Sequence, residues 1–328
     1  MKILHSLTYK TPLFEELQKK YPDSQFIRTE TPEDFERECP DCDAVIVAGS
    51  FYNQAVADIL RKSAKKLRWI QAGSDGLDKF VKPGIPDGVV ITNTSGTKGR
   101  TIGEHAIGLL IALHQKIHVF ERHRITKEWG QSRKLLRPQI GSIEGHTLVL
   151  LGYGHIGKEI ARKAKAFDAN VIALNRSGTA AGKDNGAADQ IMIIDKLHDV
   201  LPKADALMLC MPITKQTRGI LGAQELAMLK PSAVIVNVAR GELIDTDALV
   251  QALKGGKLAG AGLDVIEPEP LPQDHALWDL ENVIISPHVA GHGGPLYERL
   301  ADLYAKNIER FHNDQPLLNI VNLEDHAV

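Results

Sequence analysis

Cysteine is scarce, three in 328 residues, which excludes a disulfide-stapled fold and agrees with a reducing compartment. Two of the three form a C-x-x-C pair, Cys39 and Cys42. A zinc site would need two more ligands at suitable spacing, and a redox pair normally opens a helix, whereas Cys42 directly precedes the strand-like run Ala44–Ala48. Two ordinary loop thiols and no metal are expected. Charge of one sign is also missing: 39 Lys and Arg face 41 Asp and Glu, a net charge of −2. Nucleic acid and anionic membrane surfaces thus find no electrostatic handle. No window approaches about 18 uncharged apolar residues, and Met1–Lys10 has no sustained apolar core, so neither a membrane span nor a signal peptide is expected. Repeats and low-complexity tracts are absent as well. What remains is a soluble cytoplasmic protein acting on small molecules, long enough for two domains with their own cores.

Short apolar runs alternate with amphipathic segments almost throughout, the pattern of an α/β fold with parallel sheets. A first set of strand-like runs lies at Lys2–His5, Gln25–Arg28, Ala44–Ala48, Arg68–Gln71 and Val89–Thr92. A second set lies at Thr147–Leu151, Val171–Leu174, Ile191–Ile194, Ala206–Leu209, Val234–Val238, Ala259–Leu263 and Val283–Ile285. Seven such runs suit one doubly wound sheet. Between the sets, a Thr/Gly-rich connection, Asn93–Arg100, leads into one long apolar helix expected over Ile102–Val119 and buried against the second sheet. Glu104 and His105, near its start, read as packing or capping residues. Gly291, Gly293, Gly294 and Pro295 interrupt the chain before a last helix, Leu296–Phe311. If that helix returns to the first sheet, a domain spanning 99–291 is inserted into a smaller one made of 1–98 and 292–328.

The run Leu148–Leu151 turns through Gly152, Gly154 and Gly157 into a helical stretch and then a second strand, the order that binds a dinucleotide. Gly152 permits the tight turn, Gly154 lets backbone approach a pyrophosphate, and Gly157 lets helix and strand pack closely. With 28 Gly in the chain the spacing alone is weak, and the flanking strands carry its specificity. Tyr153, His155 and Ile156 complete the turn. An NAD site places an acid at the end of the second strand to bind the ribose diol. That position holds Asn175, followed by Arg176 and Ser177. The residue that would repel a 2'-phosphate is missing and a cation stands beside it, so NADP is expected to be preferred, with NAD possible.

Other reactive residue types recur just past later strands: Arg240 after Val234–Val238, Asp264 and Glu269 after Ala259–Leu263, and His288 after Val283–Ile285. Ligands bind beyond the carboxyl ends of such strands. Hydride transfer to a carbonyl needs a fixed cation to orient a carboxylate and polarise the carbonyl. It also needs an acid–base group that titrates near neutrality.

The segments Leu151–Gly157, Met211–Thr217, Asn237–Asp245, Gly260–Val265, Glu267–Pro272 and Pro287–Gly291 together resemble the D-isomer-specific 2-hydroxyacid dehydrogenase family. That resemblance implies a doubly wound parallel Rossmann domain inserted into a smaller flavodoxin-like substrate domain. It implies that Arg240 binds the substrate carboxylate and carbonyl oxygen, that His288 donates the proton in reduction, and that Glu269 hydrogen-bonds His288 and raises its pKa. Asp264 would hold the nicotinamide carboxamide, with backbone near Cys210, Met211, Pro212, Val238, Ala239 and Gly291 completing the cofactor pocket. Backbone N–H groups of the loop Gly73, Ser74, Asp75 and Gly76 would bind the substrate carboxylate. The segment around Trp129 would serve dimer contact, giving a homodimer. Asp75 departs from the family, which commonly has a small apolar residue there, and a carboxylate beside an anionic substrate repels it unless it points away or meets a cation. The expected reaction is reduction of a short 2-oxo acid, glyoxylate or hydroxypyruvate, to the D-2-hydroxy acid. Two alternatives stay open: a nucleotide-sensing corepressor of the C-terminal-binding-protein type, and phosphite dehydrogenase on the same scaffold. Formate dehydrogenases place Gln where this chain has Glu269, which argues against that branch.

Overall fold

The computed structural model describes residues 1–7, 12–129, 133–134, 136–180 and 186–326. The chain divides into two compact units, Met1–Thr97 with Gly294–Val328, and Lys98–Gly293.

In the first unit, strands β1 (Lys2–His5), β2 (Gln25–Arg28), β3 (Ala44–Val47), β4 (Trp69–Ala72) and β5 (Val90–Thr92) form a parallel sheet ordered β2-β1-β3-β4-β5. This is the flavodoxin-like order. β3 and β4 are buried along their whole length, as a parallel sheet covered on both faces requires. One face packs the helices Pro32–Glu38 and Gln54–Ser63, whose N-termini are capped by Thr31 and Asn53 side chains. The other packs Leu13–Lys20 together with the closing helix Leu296–His312, through Leu300, Tyr304 and Ile308. Buried Asn307 ties that helix to Gln71 of β4 (3.0 Å) and to the Leu318 N–H (2.8 Å). Cys39 and Cys42 are free thiols in the short connection between the helix Pro32–Glu38 and β3; both are fully buried in this core, where burial raises both thiols, Cys42 to about 12.

In the second unit, β6 (Thr147–Leu151), β7 (Asn170–Asn175), β8 (Gln190–Ile193), β9 (Ala206–Leu209), β10 (Val234–Asn237), β11 (Gly260–Leu263) and β12 (Val283–Ile285) form a seven-stranded parallel sheet ordered β12-β11-β10-β9-β6-β7-β8. The strand order reverses between β6 and β9, the switch point at which such sheets bind ligands. Alternate side chains of β6 enter opposite cores, Leu148 and Leu150 on one side, Val149 and Leu151 on the other. Together the two units are an α/β fold of the doubly wound type.

The single helix expected over Ile102–Val119 is two helices, Gly99–His114 and Ile117–Thr126. The chain breaks at Lys116, whose φ of 54° lies in the left-handed region. Only the first helix packs under the sheet; none of Ile117–Thr126 is buried. No described helix is long and apolar enough to cross a membrane.

Candidate active site

β6 ends in the glycine turn. Gly152 has a φ of 111°, and a Cβ there would stand 2.6 Å from the Cys210 carbonyl oxygen. A Cβ on Gly157 would stand 2.3 Å from the Gly152 oxygen, because the helix His155–Lys165 lies directly on the turn. The Cys210 thiol donates to that same Gly152 oxygen at 3.0 Å, and complete burial pushes it up to about 12, so it stays protonated and joins β9 to the turn. Gly154 is different. Nothing lies within 4 Å of a Cβ built on it, and it precedes the helix with no side chain capping the first turn. Uncapped N–H groups beside an open approach are what a pyrophosphate needs, so a dinucleotide fits here. The Tyr153 ring is buried and its hydroxyl accepts from the Ala188 N–H at 3.1 Å. His155 is exposed and Ile156 half-buried at the helix start. Met211 is buried, and the Pro212 carbonyl accepts from the Thr217 hydroxyl at 2.9 Å.

β7 ends at Asn175, whose side chain folds its own loop. Its Oδ1 accepts from the N–H groups of Ser177 (3.2 Å) and Gly178 (2.7 Å), and its Nδ2 donates to the Thr179 carbonyl at 2.7 Å. This Asx turn engages the Asn175 side chain within its own loop. The Ser177 hydroxyl lies 3.1 Å from that of Thr179. Arg176 is exposed and has no ion-pair partner among the described residues.

Past β10, fully buried Asn237 accepts from the Ala239 N–H at 3.1 Å and donates to the Arg240 carbonyl at 2.8 Å. Val238 and Ala239 are thereby held buried and Arg240 emerges half-buried, its Nη1 donating to the Ala239 carbonyl at 2.7 Å. Gly241 carries the loop against the next one: a Cβ there would stand 2.2 Å from the Ile266 carbonyl carbon. That neighbouring loop carries Glu267 and Glu269, each followed by a proline, and the structure separates them. Glu269 Oε1 lies 2.7 Å from His288 Nδ1, whereas Glu267 pairs with Arg218 at 3.4 Å.

His288 has a φ of 54°. Its N–H donates to the Asp264 carbonyl at 2.9 Å. The Asp264 carboxylate, 3% exposed, accepts at Oδ1 from the Ser286 hydroxyl (2.6 Å) and the Val289 N–H (2.9 Å), and at Oδ2 from the Ala290 N–H (3.0 Å). Gly291 follows beside Lys98, whose Cδ would lie 3.2 Å from an added Cβ. Sequence reasoning missed Asn237, Ser286 and the place of His105. His105 sits in the second turn of its helix, too far in to cap it, and its Nε2 lies 2.8 Å from Ser286 Oγ. No sequence signal links residues 181 apart.

In the first unit, the loop after β4 commits one of its expected donors to the fold: the Gly73 N–H donates to the Val47 carbonyl at 2.8 Å. The Ser74 hydroxyl donates to the Gly76 carbonyl at 2.8 Å, the Asp75 carbonyl accepts from Asn93 Nδ2 at 2.9 Å, and the Asp75 carboxylate accepts from the Thr94 hydroxyl.

A family model described as D-isomer specific 2-hydroxyacid dehydrogenase, NAD binding domain, matches residues 107–290. The chain belongs to this family. As a D-2-hydroxyacid dehydrogenase it is an oxidoreductase with an NAD(P)-binding Rossmann domain, as the motifs lead one to expect. The chain is 31% identical over 289 residues to a glyoxylate reductase of Pyrococcus furiosus, covering 87% of this dehydrogenase and 83% of that one. A D-isomer specific 2-hydroxyacid dehydrogenase family protein from Aeromonas salmonicida superposes with a TM-score of 0.83 at 28% identity, covering 98% of this chain and 99% of that one. An NADPH-dependent glyoxylate/hydroxypyruvate reductase from Sinorhizobium meliloti, solved with NADP and sulfate, superposes with a TM-score of 0.81 at 25% identity over 99% of both chains.

Proposed function

We propose that the enzyme reduces a short 2-oxo acid, glyoxylate or hydroxypyruvate, to the D-2-hydroxy acid, using NADPH in preference to NADH. The single observation that carries the chemistry is the His288–Glu269 pair at 2.7 Å, set one loop away from a strand-end arginine. The nicotinamide supplies the hydride when bound. Arg240 binds the substrate carboxylate and draws electron density from the carbonyl oxygen. Glu269 accepts from His288 Nδ1–H, which orients the ring and leaves Nε2–H to give its proton to the oxygen as the carbonyl carbon is reduced. A carboxylate has about four acceptor sites, so Asp264, with one contact on Oδ2, keeps capacity for the nicotinamide carboxamide. Gly152, Gly154 and Gly157 hold the pyrophosphate; Ser74, Asp75 and Gly76 belong to the same reading as the donors for the substrate carboxylate.

The cofactor preference rests on Arg176. No acid ends β7, and an exposed guanidinium without an ion-pair partner among the described residues stands next to Asn175. It can pair with a 2'-phosphate or stack on adenine. The names of the relatives from Pyrococcus furiosus and Sinorhizobium meliloti support glyoxylate as substrate, and the latter supports NADPH. Three unpaired cysteines and the near-neutral charge support a cytoplasmic enzyme of small molecules. Exposed Phe120, Ile125 and Trp129, on and just after a helix with no buried residue, support a homodimer built on this segment; sedimentation as a monomer would remove that part.

The test is kcat/KM across a panel of 2-oxo acids with both nicotinamides. Glyoxylate or hydroxypyruvate should lead, and NADPH should be favoured at least about tenfold, or about 1.4 kcal/mol, with the order reversed in the Asn175→Asp, Arg176→Ala double variant. Equal use of the two nicotinamides would withdraw the NADPH preference. Failure to turn over any 2-oxo acid would withdraw the substrate.

A further inference from the structure

We infer that His105 is a positioning residue for proton transfer: through Ser286 and Asp264 it holds the loop that presents His288. The inference rests on His288 being the acid–base group. It starts from two distances, His105 Nε2 to Ser286 Oγ at 2.8 Å and Ser286 Oγ to Asp264 Oδ1 at 2.6 Å. A serine hydroxyl has one proton to give, and an ionised carboxylate only accepts. Ser286 therefore donates to Asp264 and must accept from His105, which requires a proton on Nε2. Either the Nε2–H tautomer or the imidazolium meets that requirement, so the chain of donors runs one way, from His105 to Ser286 to Asp264.

Asp264 is where the loop is held. Three consecutive amides end on it: His288 on its carbonyl at 2.9 Å, Val289 on Oδ1 at 2.9 Å and Ala290 on Oδ2 at 3.0 Å. These bonds fix His288 in the left-handed region (φ 54°), which residues other than glycine rarely adopt. The Ser286 hydroxyl and the Val289 N–H share Oδ1, so the direction of that hydroxyl bears on how the carboxylate meets the loop. Without a donor at His105 the hydroxyl is free to rotate away, and the carboxylate loses one of its three hydrogen bonds together with the direct approach of His105 Nε2 to Oδ1 at 3.7 Å. The His105 side chain is 29% exposed and reaches a polar chain from the helix Gly99–His114. An apolar packing role would need neither its nitrogen nor its proton.

The experiment measures amide hydrogen exchange over residues 286–291 in the free enzyme, for wild type, His105→Ala, His105→Gln, Ser286→Ala and the His105→Ala, Ser286→Ala double variant. Gln retains a neutral N–H donor at the end of a side chain of similar reach. Exchange at Val289 and Ala290 should quicken about tenfold in His105→Ala and in Ser286→Ala, increase no further in the double variant, and return to within about threefold of wild type in His105→Gln. In the same series kcat should fall in the order of the exchange rates while KM for the 2-oxo acid stays within about twofold. Unchanged exchange in His105→Ala, additive effects in the double variant, or no rescue by Gln would each overturn the inference. Because exchange is read without substrate or cofactor, it stands apart from the role of His288. An error in that role would appear instead as near-normal turnover in His288→Ala.

Discussion

Adding one methyl at Gly154 or at Gly157 should damage the enzyme in opposite ways. A Cβ on Gly157 would lie 2.3 Å from the Gly152 oxygen, 3.1 Å from its carbon and 3.2 Å from Cys210 Sγ, so relief to an ordinary contact of about 3.4 Å moves the helix back by about 1 Å. Overpacking of this kind costs about 1 to 3 kcal/mol, and the shift also weakens the Cys210 thiol bond to Gly152. Better helix propensity returns up to about 1 kcal/mol. A net loss of about 2 kcal/mol corresponds to a fall of about 4 to 8 °C in Tm for a domain of this size. Gly154 has nothing within 4 Å of its Cβ position, and its φ of −89° and ψ of −155° suit alanine, so Gly154→Ala should leave Tm unchanged or raise it slightly. Its methyl would instead occupy the approach to the helix N-terminus. Charge-assisted bonds to a phosphate contribute about 1.5 to 3 kcal/mol each, so the loss of one raises the Kd for NADPH at least about tenfold. Calorimetric melting of the free enzyme and isothermal titration with NADPH separate the two effects. An unaltered Kd in Gly154→Ala, or an unaltered Tm in Gly157→Ala, would refute the reasoning for that glycine.

Arg240→Ala should lower kcat/KM by about 3 to 5 kcal/mol, and Lys should recover only part because it lacks the bidentate fork; near wild-type activity in the alanine variant excludes the assignment. Glu269→Gln should cut kcat/KM at least about tenfold, while Glu267→Gln, which disturbs only the exposed pair with Arg218, should stay within about twofold. The reverse order would move the role to Glu267. His114 titrates at about 4 in the folded protein, held down by burial and by His146 and Lys116 and only partly offset by Asp205, against an ordinary value of 6.5. The unfolded chain therefore binds more protons between those values, and stability should fall as pH drops from about 6.5 to about 4, by about 2 to 3 kcal/mol. Urea unfolding across that range should show a flatter slope in His114→Gln; an identical slope would count against the buried imidazole as the source.

The strands were legible because both sheets are parallel and covered on both faces. Ala44–Val47 and Ala206–Leu209 are buried at every position and so appear as unbroken apolar runs. The stop at Lys116 left no mark, since neither Gly nor Pro stands there and the apolar pattern continues through Ile117, Val119 and Phe120. Sequence shows that those residues are apolar, not that a single chain leaves Ile117 and Phe120 exposed. Glu267 and Glu269 each precede a proline and are equivalent by residue type; only the path of the loop decides which one meets His288. Asn175 was legible as a missing acid. That its amide turns inward to bind Ser177, Gly178 and Thr179 depends on loop geometry, which residue type alone does not show.

Arg240 and His288 are partly exposed, but the loops that carry them stand on buried polar anchors that ordinary core packing could not replace. Asn237 is fully buried and satisfies an N–H and a carbonyl on either side of Ala239, so the Arg240 loop needs an amide there and neither an aliphatic nor an acid would serve both bonds. The Asp264 carboxylate gathers the Val289 and Ala290 amides and the Ser286 hydroxyl beside His288, a task for an acceptor-only group at the end of a strand. Cys210 gives a weak donor to Gly152 while remaining small enough for the Gly157 backbone to pass within van der Waals reach. Burying an unpaired polar group is costly, so each anchor is stable only in the one loop conformation that completes its bonds. The backbone that carries Arg240 and His288 is therefore held by hydrogen bonds within the protein itself.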